Sequence, residues 1–208
     1  MFKNYSRLPD YFKINYIGSI GMIMIAVFIS FFTGKHYINS IITLYISTFV
    51  TWSGHYLMHN YNTYNPIAWL HKLTHHSPFS ETFWGKFIEY VFIEFFFFGG
   101  GILLLLDIYL YRKYKVFILN PYIILCWTIA VPYIHEVHYH LLNASSFHRQ
   151  HHLDTAYNYS PDFWDIVLNT KKSYIEHETL ALPHIAFIAI LIVLMCKSKY
   201  DFIRYFSK

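Results

Sequence analysis

Residues 36–71 form a run of 36 without a single Asp, Glu, Lys or Arg. Four further charge-free runs cover 14–34 (21 residues), 95–106 (12), 116–135 (20) and 179–196 (18). A helix that crosses a bilayer needs about 20 mostly apolar residues. The runs therefore predict spans near 15–33, 37–54, 88–106, 116–134 and 180–196. Composition points the same way: the chain is 55% hydrophobic and 13% charged, about half the ~25% charge of soluble domains. Disorder needs the opposite balance, and 28 charged side chains in 208 residues give thin cover for a water-soluble globule. The net charge of +4 is spread along the chain, with no basic cluster for nucleic acid. Cys126 and Cys196 both lie in apolar runs, so no disulfide framework is implied. The first apolar run follows 13 mixed residues and has no small-residue cleavage site after it, unlike a cleavable signal.

The expected architecture is an all-α integral membrane protein, a single membrane domain over 1–208. A tight Gly34-Lys35-His36 turn makes the first two spans one hairpin, and a charged linker at 107–115 makes the third and fourth another. The run at 180–196 is short and opens near Pro183, so it reads either as a fifth span or as a half-buried helix. Within the third span, Glu94 must face protein or water rather than lipid. Gly99-Gly100-Gly101 permits close helix contact or a local break. What remains outside the spans falls into two polar cap regions, 55–87 and 135–178.

Histidine is over-represented, with 14 copies. His36, His177 and His184 read as interfacial residues, but the other 11 follow either the second or the fourth span. Even numbers of spans separate the two blocks, so both lie on one membrane face. His55 and His59 are four apart, as are His71 and His75, with His76 adjacent; His148, His151 and His152 cover i, i+3 and i+4. Such spacings put side chains on one helix face, so each cluster aims two or three imidazoles at one point. Neutral imidazole binds zinc, copper, iron and nickel. One ion takes about four ligands, so this many histidines suit two. The 20 Tyr and 20 Phe read as lipid-facing or interfacial aromatics.

Read in order, the clusters are His55-Tyr-Leu-Met-His59, His71-Lys-Leu-Thr-His75-His76, His135-Glu-Val-His138-Tyr-His140 and His148-Arg-Gln-His151-His152. The last follows Asn143-Ala-Ser-Ser-Phe and runs into Tyr157-Asn158-Tyr159, Phe163-Trp164-Asp165 and Thr170. Over about residues 40–172 this resembles the fatty acid hydroxylase/sterol desaturase superfamily of membrane di-metal oxygenases. Three residues separate His71 from His75 where two are commoner, and Ser160 stands where that family usually has Gly. The resemblance implies two iron ions, zinc being the other candidate, held by His55, His59, His71, His75, His76, His135, His140, His148, His151 and His152. His135 with His140 is the favoured pair of the crowded third motif, with His138 a supporting residue and His135 with His138 the alternative. Carboxylates that orient the imidazoles are sought among Glu136, Asp154, Asp165, Glu176 and Glu178, Asp165 first because it belongs to the family motif.

The activity implied is dioxygen-dependent hydroxylation or desaturation of a lipid drawn from the bilayer, whether fatty acyl, sphingolipid or sterol. With no heme-binding segment read in the sequence, electrons are expected from a separate carrier such as cytochrome b5 and its reductase. The resemblance also implies the endoplasmic reticulum, with the site facing the cytosol. Charge alone does not orient the chain, since Lys and Arg divide eight to eight between the two faces. Two other classes fit a histidine-rich membrane chain: a metal transporter, which would place ligands midway across the bilayer, and a zinc-binding protein without redox activity.

Overall fold

The computed structural model describes residues 15–60, 64–142, 146–172 and 178–206. Among these residues there are helices and no strands. Helices α1 (Tyr16–Thr33) and α2 (Tyr37–Asn60) pack together across a three-residue turn. Gly34 closes α1 in the left-handed conformation (φ 67°), its N–H bonded to the carbonyl of Ser30. This is the backbone state that glycine enters without the Cβ penalty.

Helix α3 (Pro66–His75) starts on Asn65, whose side chain accepts from the N–H of Ile67, with Pro66 in the first turn. Helix α4 (Phe83–Ile88) runs on as a π-helical segment, Glu89–Phe98. The chain then bends by 51° into α5 (Gly101–Tyr114). Helix α6 (Pro121–Tyr133) also runs on as a π-helical segment, Ile134–Leu141. The short helices α7 (Ser146–Leu153) and α8 (Asp162–Val167) follow, then α9 (Glu178–Lys197) and α10 (Phe202–Phe206).

Helix α6 is the centre of the bundle. It packs against α1, α2, α5, α9 and the Glu89–Phe98 segment, and its residues 121–128 are all buried. A helix apolar all round belongs in such a place. Helices α1 and α9 are long and apolar enough to cross a membrane, and the bent pair passes the same test if taken as one span. Helix α2 has the reverse of soluble amphipathicity. Ser40, Thr43, Ser47 and Thr51 are buried, while Ile38, Ile42, Ile46 and Phe49 are exposed. Its polar face meets partners inside the bundle: Asn120 donates to Ser40 Oγ (2.7 Å) and Thr43 Oγ1 (2.9 Å), and Trp127 to Thr51 Oγ1 (2.7 Å).

Two expected spans change shape. The third, expected over 88–106, is a broken pair, and the glycine triplet serves both of the uses expected of it. Gly100 takes φ 87° at the break, and a Cβ on Gly99 would stand 2.8 Å from the Thr128 backbone, so glycine lets α6 close against the bend. Carbonyls freed there are satisfied by side chains: Thr51 donates to Phe98 O (2.5 Å) and Thr128 to Gly99 O (2.9 Å), as irregular backbone in an apolar region requires. The fourth, expected over 116–134, begins only at Pro121, because Asn120 caps it and the N–H groups of Ile118 and Leu119 turn back to Asp107 Oδ1. It continues helically to Leu141, so the third histidine motif sits on a helix rather than at a helix-to-loop transition.

Candidate metal centre

Four element ends converge. The C-terminal turns of α2 carry His55 and His59. Helix α3 carries His71 and His75 and is capped by His76. The segment after α6 carries His135, and α7 carries His148, His151 and His152. Ring nitrogens meet in two sets. Around His59 Nε2 stand the Nε2 atoms of His71 (3.1 Å), His76 (3.2 Å) and His151 (3.1 Å). Around His148 Nε2 stand those of His135 (3.0 Å) and His152 (2.9 Å). Nine of the ten expected ligands fall into groups whose donor atoms lie within 4.8 Å of one another: His75, His135, His148 and His152 in one, and His55, His59, His71, His76 and His151 in overlapping others, one of which shares His75.

This is the geometry of ligands rather than of hydrogen bonds. A neutral ring nitrogen has either one N–H or one lone pair, so His59 Nε2 cannot serve three nitrogens at once. At a bond length of about 2.05 Å, tetrahedral ligand nitrogens stand roughly 3.3 Å apart, close to the spacings found. His55 Nε2 and His75 Nε2 are buried with no hydrogen-bond partner. The residues present therefore fit the binding of metal.

The outer nitrogens are held. His55 Nδ1 contacts the carbonyl of Tyr159 (2.8 Å) and His151 Nδ1 that of Tyr157 (2.7 Å). A carbonyl only accepts, so both Nδ1 atoms carry the proton and both Nε2 lone pairs face inward. Two buried carboxylates from one segment lie beside other rings. Glu94 Oε1 lies 2.7 Å from His135 Nδ1, and Glu89 Oε1 lies 3.4 Å from both His71 Nδ1 and His75 Nδ1. Thr74 donates to the other oxygen of Glu89. Burial, reinforced by neighbouring histidines, holds His71 and His75 well below the ordinary histidine range and brings His76 down to about 2 and His152 to about 4. These four rings are thus neutral at physiological pH, the form that binds metal.

Other expected residues stand elsewhere. His140 lies outside these groups, its Nδ1 3.2 Å from Glu136 Oε2 and from the Tyr90 hydroxyl. His138 turns the other way, with Nδ1 3.3 Å from His184 Nε2. Glu136 sits at the rim with His140, Tyr90 and Lys86. Asp154 pairs with Lys172 at the surface. Asp165 touches no imidazole. It accepts from Tyr159 N (3.1 Å), Ser160 N (2.7 Å), Thr170 Oγ1 (2.6 Å) and Trp52 Nε1 (3.1 Å), and so fixes the stretch of chain whose carbonyl holds His55. Glu176, His177 and the side chain of Glu178 lie outside the described residues. Glu89 is absent from the carboxylates that the sequence suggests, and for Glu94 the sequence asks only for protein or water around it. The one signal for them is a pair of acids five apart at an apolar stretch, because π-helical i→i+5 bonding aligns residues at that spacing.

No family model, curated protein or solved structure matches the chain.

Proposed function

We propose that this chain is a membrane-bound di-iron oxygenase that hydroxylates or desaturates a lipid, of the fatty acid hydroxylase/sterol desaturase kind. One observation carries the reading: nine histidines from four elements converge in overlapping ligand groups beside an apolar cavity between membrane-type helices. The cavity, about 80 Å³, is walled by Met22 of α1, Trp127 and Val131 of α6, and Ala181 and Ile185 of α9, and it reaches His75, His135 and His148. A hydrocarbon chain lying there is kept from water and brought against the histidines. The chemistry that an iron pair supplies when bound is activation of dioxygen sufficient to break an unactivated carbon–hydrogen bond. His59, His71, His76 and His151, with His55, would hold one ion, and His75, His135, His148 and His152 the other. Glu89 and Glu94, beside the outer ring nitrogens of His71, His75 and His135, would help keep the inner nitrogens aimed at the ions.

Four spans, with α9 as a fifth, follow from the same reading. The outward apolar face of α2 supports its lying in lipid, since its polar residues are spent inside the bundle. Electrons would come from a separate carrier such as cytochrome b5 with a reductase. The placement is the endoplasmic reticulum with the site toward the cytosol.

The test is metal analysis of anaerobically purified protein, joined to lipid profiling of cells with and without the chain. Two irons per chain and a hydroxylated or unsaturated lipid that vanishes with His148→Ala are the expected results. Zinc alone, with an unchanged lipid profile, would replace this reading by a redox-silent zinc protein.

A further inference from the structure

Two spaces meet the histidine cluster. One is the apolar cavity described above. The other is a polar basin of about 590 Å³, lined by Ser80, Lys86, Tyr90, Arg149 and Thr155 among others. His75, His135, Tyr139 and His148 line both. Among them the Tyr139 ring stacks on His148 with centroids 4.2 Å apart. His152, the remaining member of that group, lines the basin. The second group is placed differently. His55 borders only the apolar cavity and His76 only the basin, while His59, His71 and His151 border neither space. His71 and His151 are fully buried. Of the two acids, Glu94, beside His135, lines the apolar cavity, and Glu89, beside His71 and His75, lines the basin.

We infer that the two metal positions are unequal. The position of His75, His135, His148 and His152 is open: it meets the hydrocarbon from one side and water-borne reactants from the other, and its metal exchanges with solvent. The position of His55, His59, His71, His76 and His151 meets the basin only at His76 and gives up its metal more slowly. The inference rests on the proposed two-metal reading. Its physical basis is that the shell around a site governs solvent access, and that a departing ion needs a path along which water or a chelator can replace its ligands one by one. Such a path exists on the basin side for the first group, all four of whose ligands line that space.

The test is release of metal from the iron-loaded full chain in detergent, challenged with EDTA and followed as iron per chain over time. One equivalent is expected to leave in a fast phase and one in a separate, slower phase. Thr155→Trp, which narrows the basin at a position that is not a ligand, should slow the fast phase and leave the slow one unchanged. His152→Ala should retain one iron that leaves slowly, and His71→Ala one that leaves fast. Loss of both equivalents in a single phase, or a slow phase that responds to Thr155→Trp while the fast one does not, overturns the inequality and leaves the two-metal reading standing. Binding of fewer than two irons by the unaltered chain overturns both.

Discussion

Glu94 makes the shortest carboxylate contact to an imidazole in the cluster, 2.7 Å from His135 Nδ1. Glu94→Gln keeps the shape and exchanges the carboxyl group that faces the ring for an amide. Losing such an outer partner costs about 10–100-fold in metal affinity, readable by chelator competition with helicity unchanged. A second expectation concerns the third motif. In this geometry His135→Ala lowers metal content, whereas His140→Ala, whose ring is held by Glu136 and Tyr90, leaves it largely intact. Metal loss from His140→Ala would instead return His140 to the ligand set. The third expectation is a pH dependence. Unfolded histidines take up protons as pH falls through about 6.5, but folded His152 does so only near 4 and His76 only near 2. The unfolded state then binds more protons than the folded one, and unfolding free energy falls with pH wherever that holds. The metal-free protein should therefore lose melting temperature steadily as pH drops below about 6.5. A melting temperature unchanged down to about pH 5 would mean that these rings are not sequestered as described.

Among the elements, the broken helix pair around Gly99 and Gly100 sets the geometry. The bend lets the Glu89–Phe98 segment lie beside the cluster while α5 departs at 51°. Its tightest point is Gly99, where a Cβ would meet backbone atoms of Thr128 at 2.8 Å and of Glu94 at 2.9 Å. Neither is the tip of a flexible side chain, so helices must separate to admit a methyl group. Overpacking of this kind costs about 1–3 kcal/mol. Gly99→Ala should lower the thermal midpoint in detergent and weaken metal binding together, because the same segment carries both carboxylates.

For the whole molecule, the decisive feature is that segments more than 90 residues apart share one centre: His59 and His151 meet at 3.1 Å. Both cap regions must then lie on one face of the membrane. Single cysteines placed at Ser80 and Thr155, which line the same basin, should be labelled from the same side by an impermeant reagent. The native Cys126 and Cys196 are buried and should stay silent. Labelling from opposite sides would contradict the fold itself.

Helical character, the turn at Gly34 and the clustering of histidines are local properties, legible in the sequence because run length, periodicity and spacing along one chain express them. The i, i+4 spacing of His55 and His59 and of His71 and His75 places each pair on one helix end, where the fold has them. The third motif is ambiguous in sequence because α-helical spacing pairs His135 with His138, whereas the observed π-helical turn brings residues five apart into line and swings His138 toward His184. The roles of Glu89 and Glu94, the indirect role of Asp165 and the inward polar face of α2 depend on which distant side chains lie opposite. Those partners are chosen by packing around α6 and have no counterpart in local spacing. The chain's own pattern determined that histidines gather at helix ends; only the tertiary structure decided which of them face one another, which carboxylates hold them, and which group stands open to both spaces.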